Sequence, residues 1–170
     1  SGVTNVLEVG CGCGSITRFL GENFQNVVSI EGAENRAELA SKRTEDLDNV
    51  VVINAPFQKL DFCMKFDLVI CVGVYEYSAL FVDAEDPYAT VLNFFSDALT
   101  SDGSLIIAIE NQFGLKYFSG YAEDHTGRPF DGIEGYPSKR FGVRTFGYTE
   151  IRNQLEAKFA NTSFYFPFPD

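Results

Sequence analysis

Hydrophobic and polar positions change their period several times along the chain, and each change marks an element. Val6 to Val9 is an apolar run broken only by Glu8, short enough for a strand buried on both faces. Ser15 to Phe24 then places Ile16, Phe19 and Leu20 at helical spacing, with Ser15 as the candidate cap. Asn26 to Ile30 predicts a second strand. Glu34 to Leu47, rich in Ala, Glu, Lys and Arg, predicts a solvated helix with an apolar seam through Ala37 and Leu39. Val50 to Ile53 and Phe66 to Val72 predict the third and fourth strands. Asp86-Pro87 offers a capping side chain and a proline at the first helical position. Val91, Phe94, Phe95, Ala98 and Leu99 form the buried face of that helix, which Asp102-Gly103 is expected to end, and Leu105 to Ile109 predicts the fifth strand.

Strands that are apolar on both faces and separated by helices predict an α/β fold: a three-layer, doubly wound, mostly parallel sheet. From Asn111 to Arg144 the periodicity collapses into glycines, aromatics, two prolines and the only histidine. A loop of that length in a compact domain is functional or partly disordered. Thr149 to Phe159 recovers a helical pattern, and Ser163 to Phe168 predicts an aromatic strand closing on Pro167 and Pro169. No repeat or linker interrupts residues 1–170, which are expected to form one domain. The abrupt start, almost inside a strand, leads us to expect a piece of a longer chain.

Composition narrows the partners. The chain has 170 residues, 45% of them hydrophobic and 22% charged, enough for a buried core. Its 13 Lys and Arg against 24 Asp and Glu give a net charge of -11, which argues against nucleic acid and against anionic membrane surfaces. No apolar run approaches the roughly 20 residues that span a bilayer, and no signal peptide opens the chain, so a cytoplasmic location is expected. Lys139, Arg140 and Arg144 lie close in sequence and offer a local basic patch to a small substrate. Cys11, Cys13, Cys63 and Cys71 lack the paired spacing of a zinc site, and one histidine does not complete one. Reduced structural thiols and no metal are expected, and the sequon Asn161-Thr162-Ser163 is then silent.

The segment carrying the clearest chemistry is Gly10-Cys11-Gly12-Cys13-Gly14, between the first strand and the first helix. Glycines there permit a tight turn and let the backbone touch a ligand. Dinucleotide enzymes use G-x-G-x-x-G, but the third glycine position holds Ser15. The spacing is G-x-G-x-G, with Glu8 two residues ahead, an acid suited to a cationic ligand directly or through water. Cys11 and Cys13 read as small loop residues, not nucleophiles.

Residues 6 to 14 resemble the first motif of the class I, Rossmann-like S-adenosylmethionine (SAM)-dependent methyltransferases. The resemblance continues in order. Glu31, with Gly32 behind it, ends the second strand where this family binds both ribose hydroxyls, and a carboxylate can accept from two vicinal hydroxyls. Asn54-Ala55 ends the third strand. The resemblance implies that the Asn54 side-chain oxygen meets the adenine amino group and the Ala55 amide a ring nitrogen, although Asn54 also reads as a turn residue ahead of Pro56. Phe66 to Tyr77 resembles the fourth-strand motif, which implies backbone carbonyls near Cys71 and Val72 facing the methionine moiety, with Tyr77 where relatives often have histidine. Asp102 to Ile107 looks like the turn and strand after the fourth helix. The implied cofactor is SAM, its methionine end held by Glu8, Gly10, Cys11, Gly12 and Gly14.

In this family the insert after the fifth strand, here residues 112–145, helps to form the acceptor pocket. His125 is a candidate base for an acceptor hydroxyl and Glu110 a rival base or orienting group. Alignment of nucleophile, methyl and sulfur can also suffice without a base. The insert and the ending Phe164 to Asp170 look like methyltransferase segments attached to glycosyltransferases in bacterial polysaccharide-synthesis proteins. That likeness implies a small-molecule or glycan oxygen as acceptor and other domains of the same chain as partners. The alternatives are a non-catalytic SAM-fold module of a glycan-synthesis protein, and an NAD-dependent oxidoreductase, which Ser15 disfavours.

Overall fold

The structure, a computed structural model, describes residues 2–137 and 142–167. In chain order its elements are β1 (Asn5–Val9), α1 (Ser15–Asn23), β2 (Asn26–Glu31), α2 (Glu34–Arg43), β3 (Val50–Asn54), β4 (Phe66–Val72), α3 (Ser78–Phe81), α4 (Pro87–Ala98), β5 (Leu99–Ala108), α5 (Leu115–Phe118) and α6 (Tyr148–Glu156). The chain divides into two compact units, Ser1–Tyr75 with Asn93–Ala108 and Glu76–Leu92 with Ile109–Asp170.

The first unit is a five-stranded sheet in the order β3-β2-β1-β4-β5, with every pairing parallel. The order reverses beside β1, the switch point at which ligands bind in doubly wound sheets. The three-layer α/β expectation holds. Val6, Leu20, Val27, Leu68 and Ile70 pack together as a core cluster. Phe57, Phe62, Phe66, Phe94 and Phe95 form a chain of ring contacts with centroids 5.2–6.5 Å apart. Asp67 accepts from the Thr4 and Asn5 amides, both at 2.9 Å, and ties the start of β1 to β4.

Several local expectations are corrected. The N-cap of α1 is Gly14, not Ser15, because Gly14 turns left-handed (φ 80°) and lies so close to Ala40 that a Cβ would sit 2.7 Å from its Cα. In α2 the buried residues are Ala37 and Ala40, while Leu39 is exposed. Positions 37 and 39 are two steps apart and point to different faces of a helix. The helix stops at Arg43, where Thr44 Oγ1 turns back to the Ala40 carbonyl. Asp102-Gly103 does not end α4. The helix ends at Ala98, and Asp102-Gly103 lies inside β5, where the pairing jumps from Phe66–Leu99 to Leu68–Ser104.

The second unit is built from α3, the first half of α4, α5, α6 and irregular chain. The Asp86 carboxylate caps α4 as expected, accepting from the Ala89 amide at 2.9 Å. The insert is not wholly irregular, since it carries α5 and bridges Asn111–Phe146 and Ala122–Pro129. Residues 161–167 form no strand: Phe164 and Phe166 pack their rings on Tyr148 instead. Phe168, Pro169 and Asp170 lie outside the described residues, as do Lys139 and Arg140 of the suggested basic patch. Arg144 is engaged with Glu150 and stacks over Phe146. Among the described residues no helix is long and apolar enough to cross a membrane.

Candidate functional site

The β1–α1 loop contains three left-handed glycines with different neighbours. A Cβ on Gly10 (φ +79°) would lie 2.1 Å from Val74 Cγ2, and Gly14 is pressed on Ala40, so both are glycine for packing. Gly12 (φ +55°) faces open space, and so does Gly32. Between them stands Glu31, 4% exposed at the end of β2. Its Oε2 accepts from the Gly12 amide at 2.9 Å, and its Oε1 accepts from the Ala33 amide and pairs with Arg36, each at 2.9 Å. The carboxylate therefore holds the glycine loop in shape. A carboxylate has about four acceptor sites, and the Arg36 side chain is more than half exposed, so vicinal hydroxyls can replace it.

Glu8 is buried under this loop. Its Oε2 accepts from Thr17 Oγ1 at 2.6 Å and Ser29 Oγ at 2.7 Å. Burial raises its pKa above the usual carboxylate range, against the pull of those two hydroxyls. Burial and the nearby Glu8 charge push the Cys11 thiol up to about 12, which makes it a packing residue, not a nucleophile. None of the four cysteines is joined in a disulfide. Asn54 turns its Nδ2 to the Glu31 carbonyl at 2.9 Å, which presents its amide carbonyl outward. The Ala55 amide donates to the same carbonyl at 3.2 Å, so an adenine nitrogen would have to share it. Cys71 is buried beside Val9, while Val72 is exposed at the end of β4. A carboxylate, open glycine backbone and an outward amide fit a ribose, an amino acid end and an adenine.

The second unit gathers a different chemistry. His125 Nδ1 lies 2.8 Å from Glu123 Oε1. Glu123 also accepts from the His125 and Thr126 amides at 2.9 and 2.7 Å and from the Tyr136 hydroxyl at 3.1 Å. Burial raises the Glu123 pKa, but His125 and those amides outweigh it and hold the carboxyl below its ordinary value. Tyr136 is held left-handed (φ 57°) and also bonds Thr145. With Nδ1 so engaged, His125 Nε2 points to Glu110 Oε2 at 3.7 Å and Glu76 Oε1 at 4.0 Å. Burial first, then the Glu110 charge, raises Glu76 to about 7, partly opposed by His125.

The expected cofactor residues Glu8, Gly10, Cys11, Gly12, Gly14, Glu31, Gly32, Asn54, Ala55, Cys71 and Val72 all fall in the first unit, and His125 and Glu110 are close neighbours in the second. The sequence reading singles out neither Glu76 nor Glu123. The only local signal was the Glu123-x-His125 spacing; Glu76 is brought in from a distant stretch of chain.

Comparison with known proteins bears on the family and the fold. A ribosomal RNA small subunit methyltransferase A of Streptococcus gordonii is 37% identical over 57 residues, 34% of this chain and 20% of that protein. The chain thus spans about a fifth of the length of the curated relatives it matches. The N-methyltransferase NodS from Bradyrhizobium japonicum, solved with S-adenosyl-l-homocysteine (SAH), superposes with a TM-score of 0.56 at 20% identity over 62% of this chain and 52% of that one. CalS10, a SAM-bound amino pentose methyltransferase from Micromonospora echinaspora, does so with 0.54 at 22% identity over 65% and 44%. These structures share the fold. Residues 6–103 match the family described as methyltransferase domain, more than half of the chain, and the chain therefore belongs to this methyltransferase family.

Proposed function

We propose that the chain binds SAM at the β1–α1 loop and serves the transfer of its methyl group to an oxygen of a small molecule or glycan. The observation that carries this reading is Glu31, whose carboxylate at the end of β2 is tied to the Gly12 amide beside open backbone. When bound, SAM supplies an electrophilic methyl group on a sulfonium. Glu31 accepts from the ribose hydroxyls, Gly12 and Gly32 leave the ligand room against the backbone, and the Asn54 carbonyl accepts from the adenine amine. Glu8 adds negative charge near a cationic ligand.

Residues 112–145 supply the acceptor side, with His125 and Glu110 as its chemical groups. A hydroxyl is a poor nucleophile until its proton is drawn away, and the Nε2 edge of His125 with Glu110 is where the second unit can do so. An oxygen acceptor is favoured on that ground. The amino pentose acted on by CalS10 is consistent with a sugar-like acceptor, and the net charge of -11 favours a small acceptor over RNA. Calorimetric titration with SAH tests the first step: micromolar-range binding is expected, with Glu31→Ala weakening it at least tenfold. Absence of binding by the unaltered chain overturns the reading. Labelled SAM with candidate glycans then tests the acceptor.

A further inference from the structure

Glu76 and Glu110 bring more negative charge into the second unit than their described neighbours balance. The Glu76 side chain is 1% exposed and its Oε2 has no hydrogen-bond partner; the Glu110 side chain is 39% exposed, but its Oε2 is turned inward and is also unpartnered. A buried anion without a partner is costly. The cation-capable group facing both is His125, whose Nε2 lies 3.7 and 4.0 Å from their oxygens, beyond hydrogen-bond length. The His125 ring is fixed by Glu123 through Nδ1 at 2.8 Å, the carboxylate–imidazole pairing that orients histidine ligands in metal sites. One donor atom from each of Glu76, Glu110 and His125 lies within 4.8 Å of the others.

We propose that Glu76, Glu110 and His125 hold one divalent transition-metal ion of the Mn2+ kind, with Glu123 orienting the imidazole. Metal–ligand bonds of roughly 2.0–2.2 Å set donor atoms about 3 Å apart, so small side-chain shifts close the site. One cation of charge two neutralises both carboxylates, whereas a shared proton neutralises one. Two oxygens and one imidazole nitrogen suit Mn2+ better than a thiol-seeking ion, and leave positions open for water or an acceptor oxygen. A hydroxyl bound there is acidified: its proton leaves to water while the oxygen stays on the cation. Cation binding stands on the second unit alone, and only this use of it rests on the methyl-transfer reading. In that use, His125 and Glu110 act on the acceptor through the ion.

The test titrates Mn2+ alone into the chain and follows loss of the free-ion paramagnetic resonance signal, with SAH calorimetry in parallel. One Mn2+ per chain is expected. Glu76→Gln and His125→Ala should each weaken it at least tenfold, and Glu134→Gln, an exposed acid of the same unit, should not. Mn2+ should also raise the unfolding temperature of the unaltered chain and of Glu134→Gln, but not of Glu76→Gln. Glu76→Gln keeps the side-chain shape, so the test stands if His125→Ala fails to fold. No stoichiometric Mn2+ binding, or binding that survives both substitutions, overturns the proposal. If SAH still binds, the methyl-transfer reading is untouched by that result.

Discussion

Glu8 pays for its position in stability, because its carboxylate sits 3% exposed inside the sheet with two hydroxyls on one oxygen. Its raised pKa means that the folded chain binds more protons than the unfolded chain between the usual carboxylate range and the shifted value. Stability is therefore lost as pH rises through that window. Glu8→Gln keeps an acceptor for Thr17 and Ser29 and removes the charge. Urea unfolding at pH 7 should show the variant at least as stable as the unaltered chain, with the gap closing as pH falls into the carboxylate range. SAH should bind it more weakly. A variant less stable at every pH would show that the ionised form is held by its hydroxyls more strongly than burial opposes it. Glu31 and Glu8 were legible in the sequence because both lie within one β-α-β unit, at fixed distances from Gly10. Glu76 was not, because tertiary folding alone brings residues 76, 110 and 125 together, and Glu123 left only its two-residue spacing to His125 as a signal.

At the scale of elements, the glycine loop separates packing from binding. Gly10→Ala combines φ +79° with a 2.1 Å approach to Val74, and its cost should be at least the ~1–3 kcal/mol of a strained backbone. Gly12→Ala meets no atom, so it should cost only about 1 kcal/mol while filling the space beside Glu31. Thermal unfolding should rank Gly10→Ala well below Gly12→Ala, yet calorimetry should find SAH binding damaged in both. Equal stability of the two would remove the packing role given to Gly10. The α4 cap is a control that belongs to the other unit: Asp86→Ala loses the bond to the Ala89 amide and should cost about 1 kcal/mol with SAH affinity unchanged. Strands and α4 were readable because a short apolar run and a proline cap are local signals. The start of β5 was not, since Leu99 to Gly103 read as helix end and turn until pairing with Phe66 drew them into the sheet. Nor was the fate of Phe164 and Phe166, whose rings find Tyr148 in place of a strand partner.

At the scale of the whole molecule, the proposed small acceptor rests in part on this chain's own charge, although some relatives carry ribosomal RNA in their names. The shared segment is 57 residues, about a third of this chain, and a cofactor loop can be common to enzymes with unrelated acceptors. Binding to a phosphate backbone draws its strength from counterions released by clustered Lys and Arg, and weakens steeply with salt. This chain offers 13 such residues against 24 acids, and of the described cations Arg18, Arg36, Lys116, Arg144 and Arg152 are each paired to a carboxylate. The proposed SAH recognition at Glu31 and Gly12 would use short hydrogen bonds at a buried carboxylate, which salt screens far less. Raising salt from about 50 to about 200 mM should therefore leave SAH affinity within a factor of two, while a structured RNA oligonucleotide shows no saturable binding at the upper value. Saturable RNA binding there, with a steep salt slope, would mean that the chain gathers a basic surface that its net charge conceals, and would move the acceptor from a small molecule to RNA.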